Sequence, residues 1–143
     1  MIHRLLFRVI THSTEDPDRV AAALDEMVPE NSIVQLERVD GHHRNVMHVL
    51  TATVDGKHDA TQALAGVLGR LGRDDLERIK EELPRRVDEE CAFHLRLDKQ
   101  QAYGGKVVLA NNEDCIFLRA RVECYPARHD TAVEVVGVLI DGL

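Results

Sequence analysis

The stretch Phe93-His94-Leu95-Arg96-Leu97-Asp98 alternates strictly between apolar and polar side chains. Successive side chains of a β-strand point to opposite faces of a sheet, so this pattern predicts a strand with one buried and one open face. Residues 4–10 and 116–124 alternate in a similar way. Strands that bury only one face are typical of an antiparallel sheet covered by helices on one side.

Helical patterns separate these strands. Asp16-Pro17 is typical of a helix start, because aspartate caps the first turn and proline suits the first helical position. We expect this helix to end before Pro29. Apolar stripes at helical spacing predict two further helices, over residues 60–71 and 76–83, and Pro84 is expected to end the latter.

Three more strands are predicted, over residues 33–39, 46–54 and 106–110. Residues 130–139 are ambiguous, because their valine content favours a strand and their apolar spacing favours a helix. We predict a helix, since Gly142 provides a stop signal. The order β-α-β-β-α-α-β-β-β-α predicts an α+β fold, a two-layer sandwich in which helices pack on one face of a largely antiparallel β-sheet.

Composition narrows the class of protein. The 143 residues suffice for one domain, residues 1–143, with 44% hydrophobic and 30% charged side chains. No apolar run approaches the roughly 20 residues needed to span a bilayer, and the N-terminal residues lack the pattern of a signal peptide. The three cysteines form no CxxC pair. We therefore expect a cytoplasmic protein without disulfides, a zinc site or a membrane partner.

Charge and aromatic content constrain any binding to nucleic acid. The formal net charge is −7, so the molecule as a whole repels polyanions, and binding would need a local basic patch. Aromatic residues make up only 3% of the chain. A surface of many stacking rings, as in RRM-type RNA readers, is therefore excluded.

The open face of the predicted sheet is rich in cations. If the apolar side chains point inward, the outward-facing side chains are Arg4, Arg8, His94, Arg96, Arg119 and Arg121. The planar guanidinium group of arginine matches phosphate oxygens, which favours contact with a nucleic-acid backbone. Alternatively, these arginines form a solvated surface and pair with neighbouring carboxylates.

Two loops combine polar residues with glycine. The turn Gly41-His42-His43-Arg44-Asn45 contains imidazoles, but it lacks the spacing of a known metal site, so we expect a polar loop or a phosphate contact. In residues 98–106, Gly104 and Gly105 allow close approach of a ligand and Tyr103 can stack on a base. The alternative is a helical turn capped by Asp98. Both interpretations remain open.

No catalytic motif is apparent. The sequence contains neither GxSxG nor a phosphate-binding GK[ST] loop. Acidic pairs such as Glu81-Glu82 are typical of solvated helix surfaces. We expect no enzymatic activity and no cofactor, and we consider metal-dependent chemistry at His42 and His43 the weakest alternative.

Two motifs resemble those of a known family. Residues 93–105 resemble the signature LRLDKQxAY-G of a family of small archaeal proteins described as RNA-binding and as exosome-associated. Residues 40–46 resemble its second motif, EGHHGNPI, although Arg44 replaces a glycine and Val46-Met47 replaces Pro-Ile. The resemblance implies a fold like that of the ribosomal proteins that clasp 5S ribosomal RNA.

The resemblance also implies contact residues. These are His42, His43, Asn45, Arg96, Asp98, Lys99, Gln100, Tyr103 and Gly104. Of these residues, we expect Arg96 and Lys99 to contact phosphates, Tyr103 to stack or pack, and Asp98 to orient Lys99 or cap the turn. Together with the basic face, the residues we predict to contact RNA are Arg4, Arg8, His42, His43, Arg44, Asn45, Arg96, Asp98, Lys99, Gln100, Tyr103, Gly104, Lys106, Arg119 and Arg121.

The functional prediction has two forms. The first is a non-catalytic RNA-binding protein of the archaeal cytoplasm, with structured or ribosomal RNA as its partner, associated with the exosome or with ribosomal proteins and not with DNA. The second is a protein–protein interaction module that docks on an RNA-processing machine without binding RNA itself.

Overall fold

A computed structural model describes residues 1–30, 32–40 and 45–143 of the chain. Its elements in chain order are β1 (Ile2–Thr11), α1 (Pro17–Asp25), β2 (Ile33–Asp40), β3 (Val46–Asp55), α2 (Lys57–Arg70), α3 (Arg73–Arg86), β4 (Ala92–Asp98), α4 (Lys99–Tyr103), β5 (Cys115–Val122) and α5 (His129–Asp141). No helix among these elements is long and apolar enough to cross a membrane.

The strands form one antiparallel sheet in the order β2-β3-β1-β5-β4. Helices pack against one face, and the apolar side chains of the central strands that point to this face, such as Leu5, Phe7 and Leu118, are buried. Burying a side chain of this size contributes about 1.5–3 kcal/mol. This arrangement confirms the predicted α+β architecture. The prediction succeeds because alternation in the central strands shows which face of the sheet is covered.

Helix boundaries follow local capping chemistry. The Asp16 carboxylate accepts a hydrogen bond from the backbone N–H of Asp18 at 3.0 Å, and Pro17 occupies the first turn of α1. The C-terminal segment is a helix, as predicted, and Gly142 follows it as the C-cap. Pro84 does not end α3, which continues to Arg86.

The region between β4 and β5 differs from the prediction. Residues 106–110 do not form a strand; their pairing with β4 is limited to a bridge between Leu97 and Leu109 with neighbouring backbone hydrogen bonds. The short helix α4 separates β4 from this segment. The backbone N–H of Asp98 donates to the carbonyl of Val108 at 2.8 Å, and the N–H of Ala110 donates to the carbonyl of Arg96 at 2.9 Å. The apolar side chains of Val107 and Leu109 still enter the core, which explains their strand-like pattern.

At the opposite edge, every residue of β2 is exposed. Ile33, Val34, Leu36 and Val39 are large apolar side chains among them. This edge strand therefore extends beyond the part of the sheet that the helices cover.

Candidate nucleic-acid interface

The strand register brings the predicted basic side chains together on the open face. Arg4 lies opposite Arg121 across the β1–β5 pair, and Arg119 lies between Leu6 on β1 and His94 on β4. A third row places Phe117 between Arg8 and Arg96, on the same three strands. We call the set Arg4, Arg8, His94, Arg96, Arg119 and Arg121 the arginine face.

Like charges directly opposite each other, such as Arg4 and Arg121, destabilise a strand pair. Directly opposed residues have Cβ atoms about 4.5–5.5 Å apart, so the face concentrates positive charge on a protein whose net charge is −7.

Three arginines of the face have carboxylate partners. Arg4 contacts Asp55 at 2.6 Å, Arg96 contacts Glu113 at 3.0 Å, and Arg119 contacts Glu90 at 3.2 Å. All three carboxylates are more than half exposed, and exposed ion pairs are typically worth only about 0–1 kcal/mol. A phosphate can therefore replace these carboxylates at little energetic cost.

Arg8 and Arg121 differ from the other three arginines. Within the described part of the chain, neither has a carboxylate at ion-pair distance. Both side chains are exposed. These two guanidinium groups are therefore available to a ligand without the displacement of a protein partner.

Two adjoining hollows shape the arginine face. One, of about 380 Å³, is lined by Arg4, Arg121 and Glu90, and the second, of about 440 Å³, by Arg8, His94 and Phe117. Leu6 and Arg119 line both hollows, so the depression is continuous across β1, β5 and β4.

Phe117 lies within the arginine face, and the predicted contact residues did not include it. Its ring is half-buried in the arginine face, and the guanidinium of Arg96 lies 5.6 Å from the ring centroid. Aromatic and guanidinium planes are the surfaces on which unpaired bases stack. The alternation of β5 would have identified Phe117, because it shares a face with Arg119 and Arg121.

The glycine-containing segment after β4 is a helical turn, one of its two predicted interpretations. The Asp98 carboxylate accepts a hydrogen bond from the backbone N–H of Gln101 at 2.9 Å and caps α4. Gly104 is the C-cap, and Gly105 has a φ of 77°, which favours glycine. Asp98 therefore caps the turn, which is one of the two roles predicted for it.

The prediction that Lys99 contacts phosphate conflicts with its position. Its side chain is 1% exposed, and its ammonium donates to the backbone carbonyl of Ile10 at 3.0 Å, to Glu15 at 2.9 Å and to Asp114 at 2.5 Å. An ammonium group has three N–H donors, and these partners use all of them. Lys99 is therefore a buried structural cation.

Tyr103 packs beside this lysine. Its hydroxyl donates to Glu15 at 2.6 Å, and the guanidinium of Arg19 lies 5.0 Å from the ring centroid. Burial and the neighbouring Glu15 carboxylate raise the pKa of Tyr103, so the phenol stays protonated. Of its two predicted roles, the structure supports packing.

The carboxylate of Glu15 is held ionised by these donors. Burial alone would raise its pKa, but hydrogen bonds from Tyr103, from the backbone N–H of His12 and from Lys99 outweigh that effect and lower the pKa to about 2. The buried ammonium and the ionised carboxylate thus stabilise each other.

His12, Glu15 and Asp114 lie close enough to share a metal ion. However, the Lys99 ammonium contacts both carboxylates of this group. It already supplies the positive charge that a metal would bring, so the arrangement fits a lysine-centred salt bridge better than a metal site.

The remaining predicted residues lie apart from the arginine face or outside the description. Gln100, Gly104 and Lys106 are exposed on and after α4, and Asn45 is exposed before β3. His42, His43 and Arg44 lie outside the described residues.

An antiparallel sheet with helices on one side and a cationic depression on the other defines a class of protein, an α+β fold with a candidate polyanion-binding surface. A family model described as RNA binding matches residues 4–122. This range includes four of the five sheet strands completely and all of β1 except its first two residues, so the chain belongs to this RNA-binding family.

Relatives cover nearly the whole chain. The RNA-binding protein PAB1135 from Pyrococcus abyssi is 30% identical over 145 residues, which span 98% of this chain and 94% of that protein. Protein AF2318 from Archaeglobus fulgidus has a solved structure with a TM-score of 0.85 and 29% identity, covering 97% of this chain and 99% of its own. Mth689 from Methanothermobacter thermautotrophicus, described as a DUF54 protein, has a TM-score of 0.80 and 29% identity, with 98% of both chains covered.

Proposed function

We propose that this chain is a non-catalytic RNA-binding protein that holds the phosphate backbone on the arginine face. The observation that carries the proposal is the placement of five arginines on three adjacent strands of the open face. Membership of an RNA-binding family and the name of the Pyrococcus abyssi relative support RNA as the ligand.

The chemistry of the face favours contacts with the backbone over base reading. Guanidinium groups bind phosphate oxygens bidentately, and such contacts give affinity without sequence information. Phe117 adds an aromatic surface that accepts any base. The protein thus has the groups needed to bind RNA of varied sequence.

The proposal is tested by the salt dependence of RNA binding. Fluorescence anisotropy with labelled RNA between about 50 and 200 mM salt gives the number of phosphates neutralised, at a slope of roughly −0.7 to −0.9 for each. If all five arginines contact phosphate, the slope approaches about −4. A slope near zero, or no binding at low salt, contradicts the proposal.

A pair of matched variants locates the binding surface. Arg8→Gln/Arg121→Gln removes the two arginines without a carboxylate partner among the described residues, and Arg38→Gln/Arg73→Gln removes the same charge elsewhere. Each lost phosphate contact is worth about 1 kcal/mol, so the first variant is expected to bind roughly 30-fold more weakly. Equal weakening of both variants would show that the effect comes from net charge and not from the arginine face.

The exposed edge strand supports the second candidate function, a protein docking module. Ile33, Val34, Leu36 and Val39 expose apolar surface on β2, the strand at one end of the described sheet. An exposed sheet edge is a feature that partner strands recognise. Purification of the tagged protein with and without nuclease separates the two functions. Protein partners that persist after nuclease treatment support docking, and partners lost with the RNA support RNA binding.

Association with the exosome or with ribosomal proteins in the cytoplasm is part of the same proposal. It rests on the motifs in residues 40–46 and 93–105. Identification of the co-purified proteins by mass spectrometry tests it directly. Recovery of neither exosome nor ribosomal components from cytoplasmic extract would contradict this part and leave RNA binding itself unaffected.

A further inference from the structure

A second cluster of arginines lies on α3, around a single carboxylate. The Glu82 carboxylate accepts a hydrogen bond from Arg78 at 3.0 Å and forms ion pairs with Arg85 at 2.9 Å and Arg86 at 2.7 Å. We call Arg78, Arg85 and Arg86 the arginine triad. Three guanidinium groups share one carboxylate, so the cluster carries an excess of two positive charges.

The central carboxylate keeps these like charges together. The side chain of Glu82 is 16% exposed, and burial alone would raise its pKa, but the hydrogen bond from Arg78 and the charges of Arg86 and Arg85 outweigh this and lower it. The ionised Glu82 therefore orients the triad at neutral pH. Within the described residues, the buried Nε atom of Arg86 lacks a hydrogen-bond partner.

The triad lines a hollow of about 470 Å³ between α3 and the outer edge of β4. Asn111 and Asn112 also line the hollow and offer amide donors. The Glu82 carboxylate also lines the hollow. The arginines and asparagines of the hollow supply guanidinium and amide groups, the donors that bind phosphate oxygens.

This hollow adjoins the arginine face. His94 and Arg96 line it and also line the hollow that contains Phe117. Because β4 is the last strand of the sheet, the path from the open face to α3 passes round this edge. There His94 contacts Asp88 at 2.7 Å and Arg96 contacts Glu113 at 3.0 Å, and all four side chains are more than one-third exposed. Sequence periodicity did not reveal this connection, since the triad belongs to a helix.

We infer that the hollow is a second phosphate-binding site and that a single-stranded RNA segment passes from the arginine face, round the β4 edge, to the triad. The inference rests on the proposed function and narrows its substrate class to single-stranded RNA. A nucleic-acid duplex is stiff over distances much longer than a small domain, whereas a single strand can follow the corner.

The first test removes the two more exposed members of the triad. Arg78→Gln/Arg85→Gln leaves the packed Arg86 in place, and Arg38→Gln/Arg73→Gln is the control with equal charge. The probes are labelled oligouridylates of about 5 and 15 nucleotides, which bracket the site sizes of single-strand-binding domains. Binding is measured by anisotropy at several salt concentrations.

We expect the triad variant to bind the longer oligonucleotide about tenfold more weakly, with a salt slope smaller by about 1. The short oligonucleotide fits on the arginine face alone, so its affinity should match that of the control. Arg8→Gln/Arg121→Gln should weaken the binding of both oligonucleotides. If the triad variant and the control bind the longer probe equally, the inference is wrong although the proposed function stands. If the unmodified protein binds neither probe at low salt, the inference is wrong, and the proposed function is then decided by the salt dependence of binding to labelled structured RNA.

A second variant guards against an effect of folding. Asn112→Glu places a carboxylate in the hollow from an exposed loop position. Gln62→Glu makes the same charge change at an exposed position of α2. The first is expected to weaken binding of the longer oligonucleotide several-fold more than the second. Equal affinities for these two variants would also overturn the inference.

Discussion

Replacing Lys99 by methionine tests whether this residue is a structural cation or a phosphate ligand. Methionine has a similar length and fills the same space, but it donates no hydrogen bond. The substitution removes the donors to Glu15, to Asp114 and to the carbonyl of Ile10. The carboxylates of Glu15 and Asp114 then lose the positive charge that neutralises them.

The magnitude follows from burial. Removing one partner of a buried ion pair costs about 3–5 kcal/mol. Glu15 is mostly buried, but about half of the Asp114 side chain is exposed and regains water. We therefore expect the free energy of unfolding to fall by about 3 kcal/mol at neutral pH, a large share of the 5–15 kcal/mol typical of a domain.

The effect should depend on pH. In the unmodified protein the pKa of Glu15 is lowered from 4.5 to about 2. The ionised carboxylate therefore stabilises the folded state fully at pH values above 4.5. Without Lys99 this pKa rises and protonation relieves the unpaired carboxylate. The difference in stability between Lys99→Met and the unmodified protein should therefore narrow as the pH falls below about 4.5.

Urea unfolding followed by circular dichroism measures both quantities, with exposed Lys106→Met as the control, which should change stability by no more than about 0.5 kcal/mol. An unchanged unfolding midpoint for Lys99→Met would refute the buried-cation assignment. So would an RNA salt slope reduced by about 0.7–0.9 with normal stability, since that result is expected of a phosphate ligand.

Three further predictions concern single residues. Phe117→Leu keeps apolar cover but lacks a ring, so the free energy of binding to single-stranded RNA, measured by anisotropy, should weaken by about 1 kcal/mol or more. The free energy of unfolding should change by less than about 1.5 kcal/mol. An affinity equal to that of the unmodified protein would exclude base stacking on Phe117. Acid titration of unfolding should show up to about 3 kcal/mol of stability lost between pH 4.5 and 2, and Glu15→Gln should remove much of this dependence; an identical pH profile would contradict the assignment. Gly105→Ala should cost about 1 kcal/mol in urea unfolding because its φ is 77°, whereas Gly104→Ala, with a φ of −88°, should have little effect; equal costs would show that φ is not the reason.

The sheet and its arginine face were predictable from sequence because both follow from local alternation. A period of two along β1, β4 and β5 decides which side chains share a face, and antiparallel pairing preserves that face from strand to strand. Arg4, Arg96 and Arg121 could therefore be grouped without knowing the strand order. The same rule also places Phe117 among them.

The roles of residues 98–109 required the tertiary structure. Residues 106–110 have the apolar pattern of a strand, yet after α4 they form only a bridge with β4. Lys99 lies in a polar motif, but its buried ammonium is neutralised by Glu15 and Asp114. Glu15 is distant from it in the sequence, and Asp114 lies beyond a turn. Sequence spacing does not report such partners.

Alternation by itself determined the covered and open faces of the sheet, since side-chain direction in a strand depends only on the strand's own backbone. Only the tertiary structure decided which cations remain at the surface and which are neutralised inside. It buries Lys99 between carboxylates and brings the α3 arginines to the edge of β4. The physical reason is that electrostatic environment depends on distances between elements, which packing sets and local periodicity does not.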